Sequence, residues 1–376
     1  MNPQPQSQPQ PQASPEAPSR HGAGRTPWWK LLIKYGVPLA ITVGLCWLLF
    51  TGVDIHEVVR IIRTQCDFRW IAAGLALNVL AQAARAVRWR IQLSALGVKP
   101  PVWILVFTIF GTYAVNLILP RLGELWRTGY IAARQKAPFS TVFGSMICDR
   151  LSDTLTVLLL FLLALGLALP QIMSFLGQNP DLGRKIHAVL TSPWTWSAIP
   201  ALILIIWLIC KWYPDNRAVR EIKSLCLGIW RGFAIIGQMK GKGEWLVYTG
   251  VIWASYFLGL YCSFFAFPAT AKVVADYGSV AVLVCFVFSS LSMAVPSNGG
   301  IGPYQWALMF GLGMYSAGIP ELTKEYATSF ANLVMGTQTL LLIVLGIITF
   351  IVLSIDKRRH DRAAAEPAQS PSTPSK

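Results

Sequence analysis

Two apolar runs of this chain are broken by proline and glycine, and each break is followed by another run with helical character. The first break is NLILPRLGELWR at 116–127, which contains Pro120 and Gly123. The second is AVPSNGGIGPYQW at 294–306, and its breaking residues are Pro296, Gly299, Gly300, Gly302 and Pro303. Proline lacks a backbone N–H, so it ends one helix and can begin the next. The pattern predicts two helical hairpins with their tips at the breaks.

Composition places both breaks in a membrane protein. Of the 376 residues, 54% are hydrophobic and 13% are charged, and the mean hydropathy is +0.51, so most of the chain must lie in lipid. The predicted fold class is an all-α polytopic membrane protein. The net charge of +15 would suggest a nucleic-acid partner for a soluble domain. Here the basic residues lie mainly in loops beside apolar runs, where they are topology signals and headgroup contacts, so no nucleic-acid partner is expected.

The cysteines and histidines give no sign of metal or redox chemistry. The seven cysteines show no CxxC spacing, and most of them fall inside apolar runs. The four histidines all lie outside those runs. We therefore expect no metal site and no cofactor, and we interpret the cysteines as packing residues.

The apolar runs divide the chain into a membrane domain and two tails. Residues 1–27 are rich in proline and glutamine, and residues 357–376 have a similarly polar composition, so both tails are predicted to be disordered. The membrane domain spans residues 28–356. Its apolar runs are at about 35–51, 70–85, 103–119, 141–169, 196–212, 245–267, 280–295 and 326–355.

The positive-inside rule selects a topology for these runs. If 103–119 crossed the membrane completely, the basic stretch at 215–243 would face outward. Treating 103–136 and 280–314 as re-entrant hairpins keeps that stretch and both termini in the cytoplasm. The order span, span, hairpin and long span then occurs twice with opposite orientation, which predicts about eight transmembrane elements in two inverted-topology repeats. The repeats are predicted at about 35–170 and 195–355.

Charged residues follow the first break closely, as Arg121, Glu124 and Arg127. Irregular backbone at membrane depth must be buried in protein or line a cavity, so the two tips are expected to meet around a polar cavity near the midplane. Arginines and helix N-termini at such a cavity suit a phosphate group. Glu124 lies about one turn from both arginines, so the triplet can instead be paired within itself. The spacing leaves both interpretations open.

A second charged group, Asp149, Arg150 and Asp153, lies inside the apolar run at 141–169. At 1.5 Å per residue it lies roughly 16 Å from the start of that helix, about half of a ~30 Å hydrocarbon core. Each charge at this depth costs roughly 2.5–3.5 kcal/mol. Asp149 and Asp153 share a helix face, and Arg150 can reach Asp153. The group is either a clasp between helices or part of a headgroup or proton-coupling site.

The second span also carries polar side chains. Asn78, Gln82 and Arg85 form a stripe on one helix face, which we interpret as hydrogen bonds between helices. Arg88 and Arg90 follow, and we place them at the end of this span.

Three motifs together resemble a known family. They are R-x-G-E-x-x-R at 121–127, D-R-x-x-D at 149–153 and P-x-x-G-G-x-G at 296–302. Over about residues 30–356 the chain resembles the flippase-type membrane domain of the lysylphosphatidylglycerol synthases. Asp149 stands where that family usually has glutamate, and Gln305 where a glutamate often follows the glycines. Since the sequence ends soon after its last span, we expect a stand-alone membrane domain without an aminoacyl-transfer domain.

The resemblance implies a prokaryotic cytoplasmic membrane and movement of lipids or lipid-linked headgroups between leaflets. The main expectation is a lipid translocase without catalytic residues, whose partner is a membrane lipid with an anionic phosphate headgroup. Arg121, Arg127 and Arg150 would hold the phosphate, and Glu124, Asp149 and Asp153 would balance or select charge. One alternative is a membrane-embedded transferase with Asp149 or Glu124 as general base. Another is a scaffold that binds a cell-envelope enzyme through residues 215–243, and the oligomeric state is left open.

Overall fold

The computed structural model describes residues 54–119, 121–193 and 239–365, together with a few isolated positions between 47 and 212. Pro120, the first predicted span and most of the predicted run at 196–212 and of the basic stretch at 215–243 lie outside the described residues. All regular structure in the described part is helical.

Eleven α-helices follow one another in the described part of the chain. They are α1 (Ile55–Gln65), α2 (Phe68–Ala95), α3 (Val102–Ile118), α4 (Leu122–Arg134), α5 (Phe139–Leu167), α6 (Leu169–Gln178), α7 (Pro180–Thr191), α8 (Lys242–Phe264), α9 (Pro268–Ser292), α10 (Pro303–Gly313) and α11 (Lys324–Ala365).

Five of these helices, α2, α5, α8, α9 and α11, are long and apolar enough to cross a membrane. The chain is therefore an all-α polytopic membrane protein, as predicted. Large apolar side chains cover the outside of the bundle, among them Leu155, Leu158, Leu159 and Leu162 of α5. In lipid such side chains lie in an apolar solvent, so their exposure carries no hydrophobic penalty.

The helices that precede the two breaks are short. α3 has 17 residues, or about 25 Å at 1.5 Å per residue. α9 is interrupted at Gly278, whose φ of 69° and ψ of −166° are not helical. Its second part, residues 279–292, therefore extends only about 21 Å, against a hydrocarbon core of about 30 Å.

Each break joins two helices that pack against each other. α4 returns along α3, and α10 returns along α9. The approach of α4 to α3 depends on Gly123, because a Cβ there would overlap the backbone carbonyl of Thr112. The two helical hairpins predicted from the proline and glycine spacing are thus present as packed helix pairs.

The most extensive contact between two of the described helices is that of α2 with α8, which run antiparallel. Gly74 of α2 lies beside Gly259 of α8, whereas Ile91, near the other end of α2, lies beside Gly241, which precedes α8. Between these ends Arg88 Nη1 donates to Thr249 Oγ1 at 3.5 Å. This contact joins a helix of the first half to a helix of the second half.

Two further contacts connect the two halves of the bundle. α5 contacts α9, and α11 contacts α3, so each long helix lies against the hairpin of the other half. At the second contact Ala114 lies opposite Gly346, and Gly111 lies opposite Thr349. Buried apolar residues form one cluster mainly from α2 to α5 and another mainly from α8 to α11.

Two predicted boundaries were wrong, and a third was right. α2 does not end at Arg85 but continues to Ala95, because Arg85 and Arg88 point into the bundle rather than to the membrane surface. The start of the second hairpin arm, predicted at 280, agrees with the structure, because the second part of α9 begins at 279, after the interruption at Gly278. α11 continues to Ala365, so residues 357–365 of the predicted disordered tail are helical, where basic residues favour the C-terminal end of a helix.

Candidate functional site

Seven charged side chains from three helices meet in the first half of the bundle. This charged cluster consists of Arg85 and Arg88 of α2, Glu124 and Arg127 of α4, and Asp149, Arg150 and Asp153 of α5. Four arginines against three carboxylates give the charged cluster a formal charge of +1. Five of the six predicted binding residues belong to it, and Arg121 does not.

The deepest part of the charged cluster joins α2 to α5. Arg88 Nη2 lies 2.6 Å from Asp149 Oδ1 and 2.7 Å from Asp153 Oδ1, and the Arg88 and Asp149 side chains are fully buried. Arg85 Nη2 lies 3.1 Å from Asp153 Oδ2. Both aspartates are therefore held by arginines of α2, and Asp153 is not paired with Arg150.

Neighbouring side chains on the same face fix the register of these two helices. Trp89 Nε1 donates to Ser145 Oγ at 3.0 Å, and the Gln92 amide donates to Cys148 Sγ at 3.8 Å. Arg85, Arg88 and Gln92 recur at helical spacing, so one stripe of α2 faces one stripe of α5. The predicted hydrogen bonding of the α2 stripe between helices is confirmed for Arg85.

Glu124 pairs with Arg150 at the more accessible side of the charged cluster. Arg150 Nη2 lies 2.8 Å from Glu124 Oε1, and the two side chains are 36% and 19% exposed. Asn116 of α3 also donates its Nδ2 to Glu124 Oε2 at 3.3 Å. The interpretation that Glu124 pairs with Arg121 or Arg127 was wrong, because Arg150, on the next helix, offers a closer cation.

Arg127 is buried and has unused hydrogen-bond donors. Its side chain is 1% exposed, and Nη2 lies 3.7 Å from Asp149 Oδ2, beyond hydrogen-bonding distance. The guanidinium carbon lies 4.5 Å from the centre of the Trp89 ring, a cation–π contact. Within the described residues, neither Nε nor Nη2 of Arg127 has a hydrogen-bond partner.

The two breaks contact each other through side chains that bind backbone carbonyls. Arg121 Nη2 donates to the Ala294 carbonyl at 3.0 Å, and Asn298 Nδ2 donates to the Leu117 carbonyl at 3.5 Å. Gly299 lies directly against the Leu117 side chain. The tips therefore meet, as predicted, and Arg121 is exposed and bound to the opposite break rather than to the charged cluster.

The second break depends on the conformations that its glycines adopt. Gly299, Gly300 and Gly302 have φ of 63°, 86° and 94°, in the region that favours glycine. The turn leads into α10, where the buried Gln305 accepts the Gly302 N–H through Oε1 at 2.8 Å. In this chain Gln305 therefore holds the start of α10, a role that needs no charge.

Arg85, Arg88 and two tyrosines were not predicted as site residues. Arg85 Nη1 donates to the Tyr113 hydroxyl of α3 at 3.4 Å, and its guanidinium carbon lies 5.8 Å from the centre of the Tyr256 ring of α8. The spacing of Arg85, Arg88 and Gln92 on one face was the available signal. It was missed because a run of arginines after an apolar segment is typical of a membrane surface.

The comparisons with known proteins agree with this architecture. Residues 36–346 match the family model described as the lysylphosphatidylglycerol synthase TM region. A stretch of 139 residues, 35% of this chain, is 28% identical to the glycosyltransferase AglD of Haloferax volcanii. That stretch covers 22% of AglD, so the chain matches less than a quarter of this relative. No solved structure matches the chain significantly.

A match over most of the chain identifies the family more firmly than a short relative does. The described part agrees with it in being all-helical, with several helices able to cross a membrane. The chain belongs to the family of lysylphosphatidylglycerol synthase transmembrane regions.

Proposed function

We propose that this protein translocates a lipid with an anionic phosphate headgroup between the leaflets of a membrane. The observation that carries the proposal is Arg127, a buried arginine with unused donors beside the partly exposed Arg150, in a cluster with a formal charge of +1. A phosphate at Arg150 and Arg127 would neutralise the excess charge and accept hydrogen bonds from both guanidinium groups.

The excess positive charge of the cluster supports a ligand rather than a clasp alone. A charge at the centre of the bilayer costs roughly 2.5–3.5 kcal/mol, and a pure clasp would need equal numbers of cations and anions. The aspartates and the α2 arginines already balance each other, and Glu124 balances Arg150. Among the described residues Arg127 is the excess cation, because Asp149, which it contacts at 3.7 Å, is already paired with Arg88. The cluster therefore has a net attraction for an anion.

The architecture that we infer around this site is a pair of inverted repeats with re-entrant hairpins. The antiparallel α2 and α8, the exchanged packing of α5 and α11, and the short helices before each break support it. On this topology residues 28–356 form the membrane domain, both termini are cytoplasmic, and the membrane is the prokaryotic cytoplasmic membrane. The meeting point of the tips then lies near the midplane, with the charged cluster beside it.

A transferase is the second candidate, because AglD is named a glycosyltransferase. Such an enzyme needs a carboxylate able to take a proton from the acceptor hydroxyl. In this chain Asp149, Asp153 and Glu124 are each engaged by an arginine. The geometry therefore favours binding of an anion over proton abstraction.

Transport by purified protein in liposomes tests the proposal. Fluorescent phosphatidylglycerol in one leaflet is quenched by an impermeant reductant, and the rate of leaflet exchange is measured. We expect Arg127→Gln to reduce the protein-dependent rate at least tenfold. Arg134→Gln is the matched control, because Arg134 lies on the same helix and pairs with Asp356 at 2.9 Å, away from the charged cluster. Equal rates for folded Arg127→Gln and wild type would refute the proposed site.

A further inference from the structure

Glu124 differs from the other two carboxylates of the charged cluster in how it is held. Asp149 and Asp153 each pair with α2 arginines in the buried part. Glu124 pairs only with Arg150 among the described residues, on the side where both side chains are partly exposed. Its carboxylate is thus the anion that already lies where a headgroup phosphate would approach Arg150.

Asn116 provides Glu124 with a second hydrogen-bond donor. The Asn116 amide donates to Glu124 Oε2 at 3.3 Å, while its Oδ1 accepts the Gly123 N–H at 2.8 Å. The amide is therefore oriented by the turn of the first break. A carboxylate that loses Arg150 keeps this donor, so the cost of leaving the arginine is reduced.

We propose that Glu124 is a resident competitor for the phosphate site. The Glu124 carboxylate pairs with Arg150 when the site holds no lipid. When a lipid binds, its phosphate replaces the carboxylate at Arg150, and when the lipid leaves, the ion pair forms again. This inference rests on the proposed function, and it names Glu124 as the residue that sets how strongly negative a headgroup must be. A ligand that interacts with Arg150 less favourably than a carboxylate does cannot displace it.

The competition also predicts that a higher affinity for the lipid phosphate is accompanied by a lower rate of lipid release. Without the competing charge the phosphate would bind Arg150 without displacing an ion pair, so it would bind more tightly and leave more slowly. Charge-assisted hydrogen bonds are strong enough that removing the competitor should tighten binding about tenfold. A purely structural Glu124 would give the opposite result, because its loss would loosen α4 and weaken binding.

Binding of dihexanoyl phosphatidylglycerol to the detergent-purified protein, measured by calorimetry, tests the proposal. We expect Glu124→Gln to bind about tenfold more tightly than wild type and to translocate lipid more slowly. Glu124→Asp, which withdraws the carboxylate by one methylene, should show a smaller gain and provides the test if Glu124→Gln does not fold. Glu321→Gln is the control, because Glu321 is exposed and pairs with Lys272.

The arms of the experiment separate this inference from the proposed function. If wild type binds the lipid and Arg150→Gln weakens binding, but Glu124→Gln binds equally or less tightly, the competitor is refuted and the phosphate site stands. If wild type binds no phosphatidylglycerol, or if binding does not depend on Arg150, both are refuted. The gain in Glu124→Gln should disappear in Glu124→Gln/Arg150→Gln.

Discussion

Gly74 of α2 and Gly259 of α8 lie so close together that a Cβ on Gly74 would be 2.8 Å from the Gly259 carbonyl oxygen. Ser263 Oγ would be 3.0 Å from the same Cβ. In lipid there is little hydrophobic force between helices, so association depends on small residues that let backbones approach. This crossing joins the two halves of the bundle.

We expect Gly74→Leu to lower stability by about 1–3 kcal/mol, because the added side chain must push α2 away from α8. The measurement is thermal unfolding in detergent. Gly250→Leu on α8 is the control, since a Cβ at that position has no described atom within 4 Å apart from its own helical turn. Similar unfolding temperatures for the two variants would contradict the close crossing.

Arg88 should be the most costly arginine of α2 to replace. Arg88→Gln leaves Asp149 and Asp153 short of a cation in a buried site, which we expect to cost about 3–5 kcal/mol. Arg90→Gln, at an exposed position two residues later, should change stability little. Adding Asp149→Asn should recover part of the loss, because it removes the uncompensated charge. Additive losses would show that the pair is not the source of the effect.

Replacing Arg121 should affect movement rather than binding. Its guanidinium binds the Ala294 carbonyl, so Arg121→Ala should leave the affinity for phosphatidylglycerol within about twofold while changing the translocation rate. A large loss of affinity, comparable with that of Arg127→Gln, would show that Arg121 is part of the phosphate site.

A second substitution at Arg121 tests the positive φ of its backbone. Arg121 has a φ of 63°, which is unfavourable for any residue with a Cβ. Arg121→Gly and Arg121→Ala lose the same guanidinium, but glycine relieves the strain, so Arg121→Gly should be more stable by about 1 kcal/mol. Chemical unfolding of both variants measures the difference. Greater stability of Arg121→Ala would contradict the positive φ.

The re-entrant topology predicts that both ends of the first hairpin face the cytoplasm. In a background without native cysteines, Gly97→Cys and Lys136→Cys should both be shielded from an impermeant maleimide added to intact cells. Lys272→Cys, on the proposed outer surface, should be labelled and serves as the control. Labelling of only one of the two hairpin positions would show that 103–136 crosses the membrane.

Local features were well predicted from the sequence. The bounds of α5, Phe139–Leu167, differ from the predicted run by two residues, and both breaks are where proline and glycine indicated. These features depend on backbone chemistry within a few residues. Five of the six charged residues assigned to a binding site also lie together, because charges in lipid must collect where other polar groups can meet them.

Ion-pair partners were not predictable in the same way. Spacing indicates only neighbours on the same helix, so it allows Glu124 to pair with Arg121 or Arg127 and Arg150 to reach Asp153. The structure pairs Glu124 with Arg150, 26 residues away, and Arg88 with Asp149, 61 residues away. Such pairs depend on how α2, α4 and α5 pack against one another. The periodicity of residues within one helix does not predict that packing.

The hydrogen bonds between the two breaks have a consequence for how the tips can separate. Leu117 lies in the last turn of α3, and Ala294 follows the end of α9, where helix carbonyls lack partners of their own helix. Each of these carbonyls is satisfied by a side chain of the opposite break, Asn298 and Arg121 respectively. Neither hairpin completes its backbone hydrogen bonding alone. When the tips part, water must replace both donors, so opening of this contact and hydration of the surrounding protein are a single event.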